Sequence, residues 1–415
     1  MSTSPPPQRP TAPEPPVAPE ASRARWRQVR DHLNRNRFEL TRSAAAGHAP
    51  HEFAPGGRLL ARRHWIPAAP VPLDRVRLRW QEQAPATPID GRRPELTAVL
   101  PRRADGTPYE TYAEAVGDLA RPRLFENRGC YRLLEVAEDA PVPTLTFGRG
   151  RYFDVVDICE AAAHEYAAAA LSVPGGSRPG AGATPFRAAV GDPTDLARRP
   201  VLAAVSTLAV RHDRRTGGAE FVLHWRDPAK VASGGGLFQV MPVGMFQPSH
   251  DAPWNEANDF DLWRAIVREL GEELLGGSED YGSDTAPIDY DAWPFQRTLA
   301  SARATGTLRT YWLGLGVDPL TFVTDLLTVA VFDADLFDEV FARMVATNDE
   351  GHRVRLDDGT GHAAGIPFTA GQVERLADRE PMQPAGAALL QLAWQHREVL
   401  LNGDHGAGPS GSRGG

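Results

Sequence analysis

Apolar residues recur along this chain at two spacings, and the change from one to the other outlines its elements. From Ser22 to Ala46, Trp26, Val29, Leu33 and Leu40 fall at helical intervals behind a capping serine, which predicts a helix. Leu73 to Trp80 alternates apolar and charged residues, as a half-buried strand does, and Thr144 to Phe147 reads as a second short strand. Asp154 to Leu171, with Val155, Ile158, Ala162 and Tyr166, predicts a helix. Beyond it, Val201–Val210 and Phe221–Trp225 predict two strands joined by the turn Asp213–Gly218. Leu237–Val240 predicts a strand running into Pro242-Val243-Gly244, and a loop then reaches Asn258. An amphipathic helix is predicted over Asp259–Leu275, ended by Gly276-Gly277. Strands over Leu308–Gly314 and Leu326–Phe332 follow, with helices over Asp335–Met344, Val373–Ala377 and Pro384–Leu401. Interleaved strands and helices with antiparallel hairpins give an α+β class built around a mixed sheet.

Composition divides the chain. Residues 1–22 hold eight prolines and residues 402–415 are rich in Gly and Ser; neither can bury enough apolar surface to offset its ordering entropy. The Gly/Pro-rich stretch 172–188 is the expected boundary between an N-terminal α/β region, 23–171, and a C-terminal domain, 189–401. No run approaches the roughly 18 apolar residues of a membrane span, and the N-terminus lacks an apolar signal core, so a cytoplasmic protein without membrane contact is expected. Cys130 and Cys159 are too few for a disulfide framework.

Charge is uneven. From Arg23 to Trp80, 13 arginines face four acids (Asp31, Glu39, Glu52, Asp74), so this stretch carries +9 and the remainder -17 against a total of -8. A basic front could meet DNA or another polyanion, but the arginines of the first helix point to several faces, and one basic helix is not a nucleic-acid module. Asp157, Glu160 and His164 share one helical face without a zinc-protease spacing; acids complementing a helix N-terminus are the simpler reading. No Gly-x-Ser-x-Gly elbow and no phosphate-cradling Gly-x-x-x-x-Gly-Lys-Ser/Thr loop occurs.

The densest chemistry is Arg268-Glu-Leu-Gly-Glu-Glu273, inside the amphipathic helix. Helical spacing sets Glu269 one turn from both Glu272 and Glu273, and like charges so placed repel. A hard divalent cation relieves that repulsion, since Mg²⁺ takes carboxylate oxygens and shares them with substrate phosphates. Gly271 in mid-helix costs about 1 kcal/mol relative to Ala.

A strand, a Pro-Val-Gly turn, a loop and a helix carrying Arg-Glu-Leu-x-Glu-Glu before glycine resemble the Nudix superfamily. The resemblance implies a Nudix-like mixed-sheet α/β/α sandwich in the C-terminal half, preceded by a smaller mixed α/β region. It also implies Mg²⁺-dependent (or Mn²⁺-dependent) hydrolysis of a nucleoside diphosphate-linked substrate. Glu269, Glu272 and Glu273 would be the metal ligands, Glu272 also the base, and Arg268 the residue that steadies the cluster. Arg303 and Arg309 are assigned, by chain neighbourhood, to phosphate charge, and Trp312 and Phe295 to stacking on a base.

Where the family signature has an upstream glycine and an upstream glutamate, this chain has Trp254 and Phe260. Asp259, Asp261 and Glu256 are the available stand-ins for the missing carboxylate. Stretches such as Arg121-Pro-Arg-Leu-Phe-Glu-Asn-Arg128 and Pro242-Val-Gly-Met-Phe-Gln-Pro-Ser249 are similar to a group of actinobacterial proteins often called helix-turn-helix (XRE-type) transcriptional regulators. No helix-turn-helix precedes the shared region here. The alternative that this resemblance implies is a catalytically degenerate Nudix-like ligand sensor acting in transcriptional regulation. A plainer alternative is a scaffold whose acidic helix faces solvent.

Overall fold

A computed structural model describes residues 18–122, 125–138, 140–173, 178–226, 236–342, 351–354 and 365–403. Most of both expected tails, and residues 174–177 of the 172–188 stretch, lie outside these residues. The front half contributes β1 (Val71–Pro72), β2 (Arg77–Trp80), β3 (Gly129–Val136) and β4 (Thr144–Arg151). The back half adds β5 (Ala203–Asp213), β6 (Gly218–Phe221), β7 (Leu223–Arg226), β8 (Phe238–Val240) and β9 (Val243–Met245). It continues with β10 (Leu308–Val317), β11 (Thr324–Asp333), β12 (Gly351–Val354) and β13 (Ile366–Pro367). The helices are α1 (Pro19–Ala45), α2 (Tyr112–Leu119), α3 (152–171), α4 (Pro185–Val190), α5 (Pro253–Asn258) and α6 (262–274). After them come α7 (Pro294–Thr305), α8 (Ala334–Val340), α9 (370–379), α10 (Pro384–Gln395) and α11 (Arg397–Asn402).

The class is α+β with mixed sheets. The largest sheet has seven strands in the order β1-β10-β11-β5-β6-β13, with β9 also pairing β5. At its centre β5 and β11 run parallel, from Ala203 opposite Thr324 to His212 opposite Asp333. Their residues are buried almost continuously, as parallel strands covered on both faces must be. On one face α6 sinks Leu262, Ile266, Leu270 and Leu274 into a core shared with Val205, Phe246 and Phe332. On the other, Leu389 and Leu390 of α10 pack with Leu208, Val210 and Val329. Full burial of each such side chain contributes about 1.5–3 kcal/mol.

The front half shares this core. Leu73, Tyr112, Tyr131 and Phe147 belong to the same cluster as Ile266 and Leu270, and Val71 of β1 pairs with Trp312 at the sheet edge. A second sheet, β2-β4-β3, comes wholly from the front. Half-buried Arg187 and buried Arg199 donate to the carbonyls of Pro319 and Phe322, both at 2.6 Å, tying residues 185–199 to the β10–β11 turn.

Several sequence expectations change. The first helix starts at Pro19, and Ser22 accepts the Arg102 N–H instead of capping it. Two arginines of that helix, Arg30 and Arg37, are buried against Glu160 of α3 at 3.5 and 3.2 Å, so they are withdrawn from any nucleic-acid surface. Asp157, Glu160 and His164 do not form a metal group. Asp157 accepts the Ala113 N–H at 2.6 Å, Glu160 faces the two arginines, and His164 Nδ1 meets the Tyr112 hydroxyl at 2.9 Å. Burial, followed by the charge of Arg30, pushes His164 down to about 3, so it stays neutral at physiological pH.

Asp325 is buried inside the central pair, where Ser206 Oγ donates to it at 2.8 Å. Burial, against that hydrogen bond, raises its carboxyl from 3.8 to about 7. A raised carboxyl favours the folded state while protonated, so its contribution is complete below about 3.8 and lost as pH rises to about 7. Across that window each pH unit removes about 1.4 kcal/mol. Asp325→Asn should therefore flatten the fall in melting temperature between pH 4 and about pH 7. Equal slopes for parent and variant in a calorimetric pH series would refute the assignment.

Candidate functional site

Helix α6 begins at Asp261, whose carboxylate caps the Arg264 N–H at 2.8 Å. Its first part is α-helical, but Leu270–Leu274 forms a π turn. Such a turn closes on the fifth residue, so side chains three and four apart no longer stack as α-helical spacing implies. The Gly277 N–H caps the Gly271 carbonyl at 2.9 Å beyond it.

The three glutamates take different partners. Glu269 lies flat against β9: a Cβ on Gly244 would stand 1.7 Å from its Oε1 and 2.0 Å from its carboxyl carbon. Only glycine permits that approach. Glu273 meets the adjacent residue, its Oε1 accepting the Val243 N–H at 3.1 Å. Glu272 accepts the Tyr281 hydroxyl at 2.7 Å, and the charge of Glu269 acts on the same tyrosine. The Glu272 carboxyl is raised to about 7, by burial first and by Glu279, against Tyr281, Arg268 and Arg128, which all favour the ionised form. Among the described residues no group of three or more His, Cys, Asp or Glu is placed to hold a metal ion. The expected three-glutamate cluster is thus a pair on β9 plus one carboxyl against Tyr281.

Arg268 acts on Glu269 and Glu272 through its charge, while its hydrogen bonds go elsewhere. Its Nη1 donates to the Tyr290 hydroxyl and its Nη2 to the Gln247 carbonyl, both at 2.7 Å, and Asp259 Oδ1 lies 3.6 Å away. Although burial works against its charge, Tyr290 and Asp259 raise its pKa. Asp259 has no exposed surface. Its Oδ1 accepts from Tyr290 at 2.9 Å, and its Oδ2 accepts from the Ser249 N–H at 2.7 Å and hydroxyl at 2.6 Å. Of the three stand-ins, then, Asp259 is the one that meets the arginine, with both oxygens committed. Asp261 caps α6, and Glu256 pairs with Arg149 at 2.6 Å.

The substrate-contact assignments fare differently. Phe295 does sit on α6, its ring 3.8 Å from a Cβ built on Gly271, beside Trp293 at 5.7 Å between centroids. Trp312 is 1% exposed, packed in the core, so it cannot stack on a ligand. Arg309 is held by Asp333 at 3.2 Å and by the carbonyls of Gly306 and Leu401. Arg303 lies over the Trp263 ring at 4.6 Å.

Sequence reasoning missed the residues that frame the site. Arg128, just ahead of β3, donates to the Ser249 carbonyl, stands 3.8 Å from Glu279 and acts electrostatically on Glu272. The β3–β4 hairpin holds the whole loop that enters α6. Tyr131 N–H donates to the Phe246 carbonyl at 3.1 Å, Tyr131 hydroxyl to the Glu256 carbonyl at 2.8 Å, and Gly129 N–H to Asp251 at 2.6 Å. No spacing rule points to such long-range partners; the one available signal was Gly244, ahead of an acidic helix. A pocket of about 470 Å³ on α2, lined by Arg103, Asp118, Arg121 and Phe125, includes none of the glutamates. Comparison with protein-family models and with curated proteins gives no match for this chain.

Gly244→Ala should displace Glu269 and lower the melting temperature by several degrees, through the overpacking cost of about 1–3 kcal/mol. Adding Glu269→Ala should recover most of the loss in a double-mutant cycle. Additive effects of the two substitutions would contradict the contact.

Proposed function

We propose that the C-terminal half is a Nudix-like module that binds a nucleotide-like, diphosphate-bearing small molecule together with Mg²⁺ or Mn²⁺, and retains it without efficient hydrolysis. The observation that carries this reading is the pair Glu269 and Glu273, set against adjacent backbone positions of β9. Two carboxylates suit Mg²⁺, which is held by one or two of them plus the substrate's phosphates instead of an all-protein cage. The bound ion would supply charge neutralisation at the phosphate oxygens. Arg128, 27% exposed at its side chain and close enough to act on Glu272, is the cation in this reading best placed to meet a phosphate.

Weak turnover is favoured because the upstream carboxylate of the family signature is Phe260 here, and neighbouring Asp259 is spent on Ser249, Tyr290 and Arg268. The β3–β4 hairpin grips the loop leading into α6, so the front half would feel a change in that loop when ligand binds. This is the sensor reading; DNA as the eventual partner belongs to it only as an extension. No described helix is long and apolar enough to cross a membrane.

One observation favours the second reading, hydrolysis: a carboxyl raised to about 7 at Glu272 is suited to accept a proton from water at neutral pH. On that reading the rate would rise with pH through about 7 as Glu272 ionises. Tyr281→Phe, which removes a hydrogen bond to the ionised form, would move that midpoint upward.

Calorimetry with a panel of nucleoside diphosphate derivatives, with and without Mg²⁺, tests the proposal, with product release followed in parallel. Binding should require the cation and weaken at least about tenfold, or about 1.4 kcal/mol, in Glu269→Gln and in Glu273→Gln. Binding indifferent to the cation, or to both substitutions, contradicts it; rapid product release moves the assignment to hydrolysis.

A further inference from the structure

The basic surplus of residues 23–80 resolves into arginines used internally and a short set that is not. Arg30 and Arg37 face Glu160, Arg42 faces Glu39 at 3.8 Å, Arg58 pairs with Asp378, and Arg62 lies 3.6 Å from Asp192. Arg27 and Arg35 donate to the carbonyls of Leu119 and Asp31. Arg23, Arg25, Arg63, Arg75, Arg77 and Arg79 are left with no side-chain hydrogen bond or ion pair among the described residues; of these, Arg75, Arg77 and Arg79 are exposed and lie together in the chain.

Arg77 and Arg79 lie on β2, where exposure alternates with Leu78 and Trp80, and Arg75 ends the 3-10 turn that leads into the strand. Arginines at every second strand position lie about 7 Å apart on one face. β2 is also the terminal strand of its sheet, paired only with β4. The N–H groups of Arg77 and Gln81 point to β4, donating to Pro143 and Phe147 at 2.9 and 2.8 Å. By the alternation of a parallel ladder, the N–H and C=O groups of Leu78 and Trp80 therefore face the open side. An unpaired strand edge thus coincides with two unpaired cations on the strand and a third just ahead of it.

We infer that β2 is a docking edge for an extended acidic peptide of a partner protein, which adds a strand beside Leu78 and Trp80 and sets carboxylates against Arg75, Arg77 and Arg79. Main-chain hydrogen bonds supply affinity in this mode of recognition, and alternate side chains supply specificity. A nucleic acid fits less well. Trp80 packs onto Tyr131 and Phe260, at 6.1 and 5.4 Å between centroids, with Arg149 over its ring at 5.5 Å and its indole N–H on Glu82, so the ring is already engaged and gives bases no stacking platform. The cross-strand neighbours on that face are Thr144 and Thr146, and Thr146 donates to the carboxylate of Glu135 at 3.3 Å. Threonines and a carboxylate are poor company for a phosphate chain. An edge strand lined with arginine also resists pairing with copies of itself, which leaves it open for a chain of opposite charge.

The test uses the full chain and three labelled probes in fluorescence anisotropy. One is a short peptide with Glu at alternate positions and Thr or Val between; another has the same composition with a central Pro; the last is a short single-stranded oligonucleotide. The alternating peptide should bind, more weakly as salt rises. It should lose at least about tenfold in the Arg77→Glu/Arg79→Glu variant, equal to about 1.4 kcal/mol, with melting temperature unchanged because both side chains are exposed. The proline peptide should bind much more weakly, because it cannot complete the ladder. Absence of peptide binding overturns the proposal, as does equal binding of the proline peptide. Tighter, charge-reversal-sensitive binding of the oligonucleotide overturns it in favour of a nucleic-acid surface.

Discussion

The absence of a side chain at Gly244 governs the C-terminal site. It lets the carboxylate of Glu269 lie against β9 at a distance that any Cβ would forbid, and Glu273 follows onto the neighbouring N–H of Val243. Two acidic groups one turn apart are thereby anchored on a strand instead of repelling each other in solvent. The strand itself is fixed, since β9 pairs with Ala204–Ser206 of the central β5. Position therefore passes from the buried parallel pair to β9 and on to the carboxylates, without depending on a mobile loop.

A second constraint acts from behind. Arg268, Tyr290 and Asp259 form a buried group that fastens α6 to the segment 247–259. Removing one partner from such a group strands the other's charge in the interior and costs about 3–5 kcal/mol. The front half reinforces the same segment through Arg128, Gly129 and Tyr131. The site thus rests on both halves of the chain, and their apolar clusters are continuous.

Strong periodic patterns were legible. β5, β10 and β11 emerge from apolar runs, α1 and α6 from helical stripes, and α3 from the apolar spacing of Val155, Ile158, Ala162 and Tyr166. Weaker patterns were not. β3 reads Gly-Cys-Tyr-Arg-Leu-Leu-Glu-Val with a bulge between Leu133 and Glu135, which breaks the two-residue alternation. Helix α7 has only Leu299 and Ala302 buried, so its stripe is too thin to announce it. Trp312 looked available as a stacking surface because its burial depends on a pairing with Val71, 241 positions earlier in the chain. At the site, the acidic residues were visible but their directions were not. The spacing argument assumed an unbroken α-helix, whereas Leu270–Leu274 is a π turn and Glu272 bonds to Tyr281. Long-range partners such as Tyr290 and Arg128 carry no local signature at all.

The division of labour among the glutamates is the central claim, and manganese offers the most direct probe of it. Electron paramagnetic resonance can count Mn²⁺ ions bound in the presence of a nucleoside diphosphate derivative, one glutamate substitution at a time. The account predicts that Glu272→Gln keeps its bound ion, whereas Glu269→Gln and Glu273→Gln lose it. Loss of the ion from Glu272→Gln to the same degree as from the other two would show that all three carboxylates converge, contrary to the arrangement described.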